Sequence, residues 1–308
     1  MMENYLAIFR EVRRRLETEG YSNHEISDNY EEIFKKLSPN ELTFQQLMVE
    51  YLGEFNVKSM DYVDQHYWTN GIRVRRYKDA LIVTDVIDDL QFVVGDEIIA
   101  LSGDSINELA ERYQKLLFNE PTERQDWHTI LRKQNSAQVK RGDQFYDFEL
   151  HVYDDTRGLE VIDHEQFPEV IVYSIDTLHK YLHSPAETLL IDLTAAYGVI
   201  PDNQVDWIAE QLNGREFIML IDALTKGSAE RLASRFEGQG RIVGRETYGQ
   251  AVSLQKVALG NQFFIYSADK DKTVFPDVMV ELRESSFLQD DIRQAGIDVL
   301  LNRLNNQQ

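Results

Sequence analysis

Cysteine is absent from this sequence of 308 residues. Disulfide bridges, zinc–thiolate sites and thiol nucleophiles are therefore excluded. Long hydrophobic runs are absent as well, and no stretch approaches the roughly 20 apolar residues that a membrane-spanning helix needs. The first residues, Met1 to Tyr5, carry neither the basic patch nor the apolar run of a signal peptide. We therefore expect a cytoplasmic protein that does not enter a membrane.

Positive charge is scarce, with 32 lysine and arginine residues against 53 aspartate and glutamate residues. The formal net charge of -21 repels phosphate groups and anionic lipid, so nucleic acid and membranes are poor partners. The apolar content of 43% is ordinary, and it allows sizeable cores to form.

No motif predicts a metal or a cofactor. The sequence has no glycine loop that would cradle a phosphate, and paired aspartates such as Asp88-Asp89 lack the spacing of a calcium loop. His179 and His183 are four residues apart on a predicted helix, which is a spacing that metal ligands use. Because Lys180 follows His179 where a metalloprotease has glutamate, we interpret this pair as part of a surface helix.

Hydrophobic periodicity divides the chain into three regions. Residues 1–64 carry apolar side chains at helical spacing. Residues 65–154 alternate with period two and predict a β-rich unit that contains a helix over 106–118. From residue 155 to residue 308, buried strand runs alternate with helices, which is an α/β pattern.

Local signals predict some of the helix boundaries. Pro39 is expected to end the second helix. Thr43 is expected to cap the third helix, with Gln46 at the partner position of a capping box. The last helix is predicted over residues 288–304.

The segment from Val94 to Ile106, which reads VGDEIIALSGDSI, resembles the signature of PDZ domains. Its glycines suit tight turns, and its paired isoleucines suit the core of a small barrel. This resemblance implies that residues 65–154 form a PDZ-like domain.

Later segments are similar to the tail-specific, or C-terminal processing, serine peptidases. The similar segments are 189–193, 220–230, 244–250, 275–280 and 295–298. The resemblance covers roughly residue 40 to the end of the chain. It implies an α/β core of the C-terminal processing peptidase type over 155–308, preceded by an N-terminal helical segment (1–64) and the PDZ-like β-rich domain.

The resemblance also implies a serine–lysine mechanism, in which a hydroxyl attacks an amide carbon and a lysine takes its proton. The family's serine lies three residues before a glutamate. Counting back from Glu230 reaches Gly227, which carries no nucleophile. The family's lysine follows the glycine of a Thr-aromatic-Gly run, but Gln250 follows Gly249 here, and an amide is no base at neutral pH.

Two other segments depart from the family's pattern. The glycine run that lets backbone N–H groups approach a substrate reads TAAYG at 194–198. The Asp-Gly-His run that many relatives carry after the third helix is replaced by NVKS at 56–59. Together with Gly227 and Gln250, these departures favour a catalytically degenerate protein, or pseudopeptidase.

Ser228 is an alternative nucleophile, because it is one residue from the expected position. It is equally the kind of small polar residue that occupies the first turn of a helix. Lys226 is poorly placed to serve Ser228 as a base, since side chains two residues apart on a helix diverge.

Gly71, Ile72 and Arg73 are the candidate peptide-binding residues. In PDZ-like modules a peptide pairs with a strand edge, and loop N–H groups hold its carboxylate. The sequence around Gly71 lies where that loop is expected, and Arg73 could hold a carboxylate through two hydrogen bonds.

The sequence therefore leads to three hypotheses. The first is a degenerate tail-specific peptidase homologue that binds peptide or protein C-termini and possesses a core used as a scaffold or for homo-oligomer assembly. The second is an active serine peptidase that uses Ser228 and an unidentified base. The third is a purely structural or assembly subunit.

Overall fold

A computed structural model describes residues 5–36, 41–64, 67–118, 120–283 and 290–307. Helices come first, strands dominate the middle, and the two alternate in the last half. The helices are α1 (Tyr5–Thr18), α2 (His24–Lys36), α3 (Glu41–Gly53), α4 (Ile106–Arg112), α5 (His128–Leu131), α6 (Ile175–Tyr181), α7 (Asp202–Asn213), α8 (Ser228–Ser234) and α9 (Asp291–Gln307). The strands are β1 (Asp61–Asp64), β2 (Trp68–Thr69), β3 (Ile72–Tyr77), β4 (Ala80–Val86), β5 (Glu97–Leu101), β6 (Asp104–Ser105), β7 (Ser136–Arg141), β8 (Gln144–Glu149), β9 (Tyr153–Asp154), β10 (Leu159–Asp163), β11 (Pro168–Val172), β12 (Thr188–Asp192), β13 (Glu216–Ile221), β14 (Ile242–Gly244), β15 (Gln255–Leu259), β16 (Gln262–Tyr266) and β17 (Val278–Met279).

Helices α1 to α3 bury one apolar face each, as their periodicity predicts. Phe9, Val12 and Leu16 of α1 are fully buried. The same core includes Phe264 and Tyr266, because β1 pairs antiparallel with β16 beneath the helices. The N-terminal helices are thus anchored to a β-hairpin contributed by the last third of the chain.

Strands β3 to β8 form one antiparallel sheet in the order β3-β4-β5-β7-β8, with β6 paired to β5. Its core contains Leu81, Val83, Ile98 and the buried indole of Trp127. Strand β3 lies at the edge of this sheet, and β4 is its only partner strand in the described part of the chain. We refer to this sheet with α4 and α5 as the β-rich unit.

The remaining strands form a sheet in the order β10-β11-β12-β13-β14-β17. Strand β10 is antiparallel to β11, and the following pairs are parallel. Alternate side chains of the central strands face opposite layers: α6, α7 and α8 cover one face, and α9 covers the other. Loops that leave the carboxyl ends of parallel strands are the usual location of a functional site in such sheets.

Some boundary predictions are wrong. Thr43 lies inside α3, so it is not the residue that caps this helix. The helix predicted over 106–118 ends at Arg112, and Phe118 adopts a positive φ of 51° that no helix accommodates. Pro39 and the first residue predicted for the last helix, Leu288, lie outside the described residues. Within the described ranges, no helix is both long and apolar enough to cross a membrane.

Candidate functional site

The turn between β13 and α8 contains the position where the peptidase resemblance calls for a serine. Strand β13 is buried up to Ile221, and the chain then turns sharply into α8 at Gly227. Gly227 has φ 65° and ψ -137°, a conformation that side chains with a Cβ atom rarely adopt. A strained strand-to-helix turn of this kind presents the nucleophile in many hydrolases. Here the turn is formed by a residue without a side chain.

Space for a side chain at position 227 is missing. A Cβ atom built on Gly227 would lie 2.6 Å from the carbonyl oxygen of Gly198. The same oxygen accepts a hydrogen bond of 3.1 Å from the backbone N–H of Ser228. In a nucleophile turn, the N–H of the residue after the nucleophile contributes to the oxyanion hole. In this protein the N–H of Ser228 already donates to the Gly198 carbonyl oxygen, so it is not available to an oxyanion.

Gln250 fills the position expected for the general base and binds the same turn. Its side-chain oxygen accepts the backbone N–H of Gly227 at 3.0 Å, and its Nε2 donates to the carbonyl oxygen of Lys58. The residue is only 6% exposed. Gln250 therefore links the turn at Gly227 to the 56–59 segment that follows α3.

Lys58 is held beside this link. Its ammonium forms an ion pair with Glu120 and donates to the carbonyl oxygen of Tyr248 at 2.8 Å. These contacts attach the 56–59 segment to the loop that carries Gln250.

Ser228 is buried, with 2% of its surface exposed. Its hydroxyl donates to the carbonyl oxygen of Ile200 at 3.2 Å and accepts the N–H of the same residue at 3.0 Å. Both the donor and the acceptor function of the hydroxyl are therefore used to attach α8 to the loop after β12.

Glu230 organises the loop that carries Gln250. It is fully buried and accepts the backbone N–H groups of Gly249 at 2.8 Å and Gln250 at 2.5 Å, as well as the hydroxyl of Thr247. Burial raises the pKa of this carboxyl to about 7, although the hydrogen bonds oppose the rise.

Lys226, in the turn before α8, forms an ion pair with a residue of the β-rich unit. Its Nζ lies 2.8 Å from Oδ2 of Asp126 in the β-rich unit, and the two side chains are 23% and 19% exposed. Burial alone would lower the pKa of Lys226, but the negative charge of Asp126 raises it above its usual value. Burial would likewise raise the pKa of Asp126, but the Lys226 charge lowers it to about 2.

His128 lies next to this pair in an aromatic stack. Its ring is 5.0 Å from that of Tyr67, which stacks in turn on Tyr197 at 3.8 Å. The ring Nε2 lies 2.8 Å from the carbonyl oxygen of Trp68. Burial lowers the pKa of His128 to about 4, so the ring is neutral at pH 7 and Nε2 is the protonated nitrogen that donates.

Two arginines of the β-rich unit bind the loops around the site. Arg75 on β3 forms an ion pair with Asp222, at the start of the turn that leads to Gly227. Arg124 donates to the carbonyl oxygen of Thr247 at 2.7 Å and pairs with Glu246 at 3.1 Å. The relative position of the β-rich unit and the core sheet is therefore set by charged contacts at the site itself.

The candidate peptide-binding residues lie at the start of β3. The carbonyl oxygen of Gly71 accepts the N–H groups of Ile87 at 2.7 Å and Asp88 at 3.0 Å, and the glycine has a positive φ of 71°. Ile72 is 3% exposed and packs in the core of the β-rich unit. Ile72 can therefore contact a ligand only through its backbone.

Arg73 faces a cleft between β3 and the core sheet. Its guanidinium lies 5.1 Å from the ring centre of Tyr173, and its Nη1 is 3.8 Å from the carboxylate of Asp85. The cleft has a volume of about 450 Å³. Its walls include Arg73, Val74 and Arg75 on one side and Tyr173, Asp192 and Thr194 on the other.

The sequence patterns did not predict the groups from distant parts of the chain that surround the turn at Gly227. The Gly198 carbonyl, the Asp126–Lys226 pair and the His128 stack depend on residues that are far apart in the chain. The departure from the family's glycine run at 194–198 was the one usable signal, because Gly198 belongs to that segment. Among the described residues, no group of three or more histidine, aspartate or glutamate side chains is arranged to hold a metal ion.

Comparisons with known proteins bear on the fold. No family model and no curated protein matches the sequence. A crystal structure of a mutant of CPAF, a chlamydial protease, matches with 9% identity and a TM-score of 0.60, covering 98% of each chain. Mature CPAF matches with 10% identity and a TM-score of 0.57, covering 99% of this chain and 98% of that chain. Mature CPAF complexed with lactacystin matches with 10% identity and a TM-score of 0.56, covering 99% of each chain.

At such low identity the similarity concerns the fold alone. The mixed α/β architecture that the sequence predicts is confirmed. The chain is similar to CPAF over nearly its whole length, and it shares the overall fold of that protein.

Proposed function

We propose that this protein is a catalytically inactive homologue of the tail-specific peptidases that binds peptide or protein C-termini. The observation that carries the proposal is the closed turn at Gly227. The nucleophile position has no side chain, and the Gly198 carbonyl oxygen fills the place of its Cβ atom.

Peptide hydrolysis by this fold needs a nucleophile, a base and donors for the developing oxyanion. The base position holds Gln250, whose amide is bound to Gly227 and Lys58. The nearest hydroxyl in the sequence, that of Ser228, is bound on both sides by Ile200. These contacts support an inactive site, and they argue against Ser228 as a nucleophile.

Peptide binding is supported by the position of β3 at the edge of its sheet, next to the cleft. An extended peptide pairs with an exposed sheet edge through main-chain hydrogen bonds, and neighbouring pockets select its side chains. The cleft of about 450 Å³ beside β3 is within the range of known ligand pockets. Arg73 at its wall is a suitable partner for the terminal carboxylate of such a peptide.

The inactive site is tested with a fluorophosphonate probe and intact-mass detection. We expect no labelling of the wild-type protein and no change in the Ser228→Ala variant. Stoichiometric labelling that disappears in Ser228→Ala would show that Ser228 is an activated nucleophile, and the proposal would then be abandoned in favour of an active peptidase.

Binding is tested with fluorescein-labelled decapeptides that end in a free carboxylate and differ in their last residue. We expect fluorescence anisotropy to show saturable binding that weakens at least tenfold in Arg73→Gln. Arg112→Gln is the matched control, because Arg112 belongs to the same unit, its side chain is 53% exposed, and among the described residues it forms an ion pair only with Asp104. Equal affinities in the two variants, or no saturable binding, would favour a purely structural subunit.

A further inference from the structure

A second cavity, of about 310 Å³, lies on the other side of the His128 stack. It is enclosed by α3, by β1 and β16, and by the end of α5. Tyr67, His128, Tyr197 and Lys226 line both this cavity and the cleft beside β3. The two spaces are therefore neighbours that share a wall but have different remaining residues.

The second cavity has a mixed lining, with an apolar and aromatic wall and charged groups of both signs. Its apolar wall includes Val49, Tyr62, Trp68, Phe263 and Ile265. Arg132, which directly follows α5, is one of the cations in this lining. An apolar pocket with a few convergent polar groups is the usual form of a small-ligand site.

Arg132 differs from Lys133 and Lys226, which also line this cavity. Lys133 pairs with Glu50 at 2.5 Å, and Lys226 pairs with Asp126 at 2.8 Å. The remaining cation of the lining, Lys256, lies 4.0 Å from the ring centre of Phe263 and forms no ion pair within the described ranges. Over the described ranges, the guanidinium of Arg132 forms no hydrogen bond or ion pair, and its Nε is buried. A buried charged donor without an acceptor is energetically costly.

Carboxylates also line the cavity, but they are already used. Asp61 accepts the N–H of Tyr62 at 2.8 Å, and Asp64 accepts the indole N–H of Trp68 at 3.1 Å. Burial lowers the pKa of Arg132, and the negative charges of Asp64 and Asp61 oppose this, but neither acid forms an ion pair with it within the described ranges. Arg132 therefore has donors left for an acceptor from outside the chain.

We propose that this cavity binds a carboxylate that carries an adjacent apolar or aromatic group, and that Arg132 holds the carboxylate. A guanidinium binds a carboxylate through two parallel hydrogen bonds, and the aromatic wall accommodates the apolar group. Such a ligand is either a small carboxylic acid or the last residue of a peptide. The site does not depend on whether the cleft beside β3 binds a peptide.

The test uses N-acetyl-phenylalanine and its amide, N-acetyl-phenylalaninamide, which differ only in the carboxylate. We expect calorimetry or ligand-observed NMR to show that the acid binds at least tenfold more tightly than the amide. In Arg132→Gln this ratio falls to about one. A hexapeptide acid ending in phenylalanine, compared with its own amide, distinguishes a peptide terminus from a free acid.

Folding of the variant is checked by thermal unfolding. Arg132→Gln is expected to unfold no earlier than the wild type, because it removes a partly buried charge that forms no ion pair with any described residue. Arg112→Gln is again the control and is expected to leave the binding of N-acetyl-phenylalanine unchanged. The proposal is overturned if neither acid binds more tightly than its amide, or if the preference for the acid survives in Arg132→Gln.

Discussion

The turn at Gly227 and the cavity at Arg132 are close together but use their polar groups in opposite ways. At the turn, the N–H groups of Gly227 and Ser228 are bound by Gln250 and Gly198. In the cavity, the guanidinium of Arg132 has no acceptor within the described ranges. Buried polar groups that satisfy one another stabilise a fold, whereas an unsatisfied group beside an open space indicates a ligand.

The largest effect on stability is expected when a side chain is introduced at the turn. Gly227→Ser should lower the free energy of unfolding by about 4 kcal/mol, through backbone strain and a clash with the Gly198 carbonyl. Urea unfolding measures the loss. The variant should also remain unreactive with a fluorophosphonate, because Gln250 provides no base.

Gly214→Ala is the matched control for this substitution. Gly214 ends α7 with a negative φ of -84°, and a Cβ atom there would meet nothing within 4 Å. We expect its unfolding free energy to stay close to that of the wild type. A stable Gly227→Ser protein would mean that the Gly198 loop moves aside easily, and the turn could no longer be called closed.

The contacts that fix the turn at Gly227 can also be tested by titrating Glu230, which accepts backbone N–H groups of the loop that carries Gln250. Its pKa is about 7 in the folded protein against 4.5 as its ordinary value. Its stabilising contribution is therefore fully present below pH 4.5 and is lost as the pH rises through about 7. The shift corresponds to roughly 3 kcal/mol.

Glu230→Gln removes this titration. Between pH 5 and pH 8 the unfolding free energy of the wild type should fall more than that of the variant, by up to roughly 3 kcal/mol. Urea unfolding at both pH values measures the two differences. Because other groups titrate equally in both proteins, identical pH dependences would show that Glu230 is ionised at the same pH in the folded and unfolded states.

The smallest expected effect concerns Ser228. Ser228→Ala should lower the unfolding free energy by about 1–2 kcal/mol, because the buried N–H and carbonyl of Ile200 lose their partner. Ser234→Ala is the matched control within the same helix, because the Ser234 hydroxyl donates a hydrogen bond of 2.7 Å to the carbonyl oxygen of Arg231. A Ser228→Ala protein of unchanged stability would remove the structural role that we assign to this hydroxyl.

Much of the fold follows from local patterns. The apolar runs of β12 and β13 predicted buried parallel strands, because strands covered on both faces have no polar side to show in the sequence. Helices α1, α2 and α7 were predictable from their apolar stripes. The end of α4 was not, since the apolar residues after Arg112 continue at helical spacing while the backbone leaves the helix.

The sequence also determined which chemical groups are available at the site. Glycine at 227 and glutamine at 250 already exclude the expected nucleophile and base, whatever their surroundings. The tertiary structure was needed to show that the Gly198 carbonyl oxygen lies where a Cβ atom at position 227 would be. It also showed that the Ser228 hydroxyl is hydrogen-bonded to both the N–H and the carbonyl of Ile200. The tertiary structure also left the Arg132 guanidinium without a hydrogen-bond acceptor among the described residues. Contacts between residues far apart in the chain depend on how the strands and helices pack, so they leave no local pattern in the sequence.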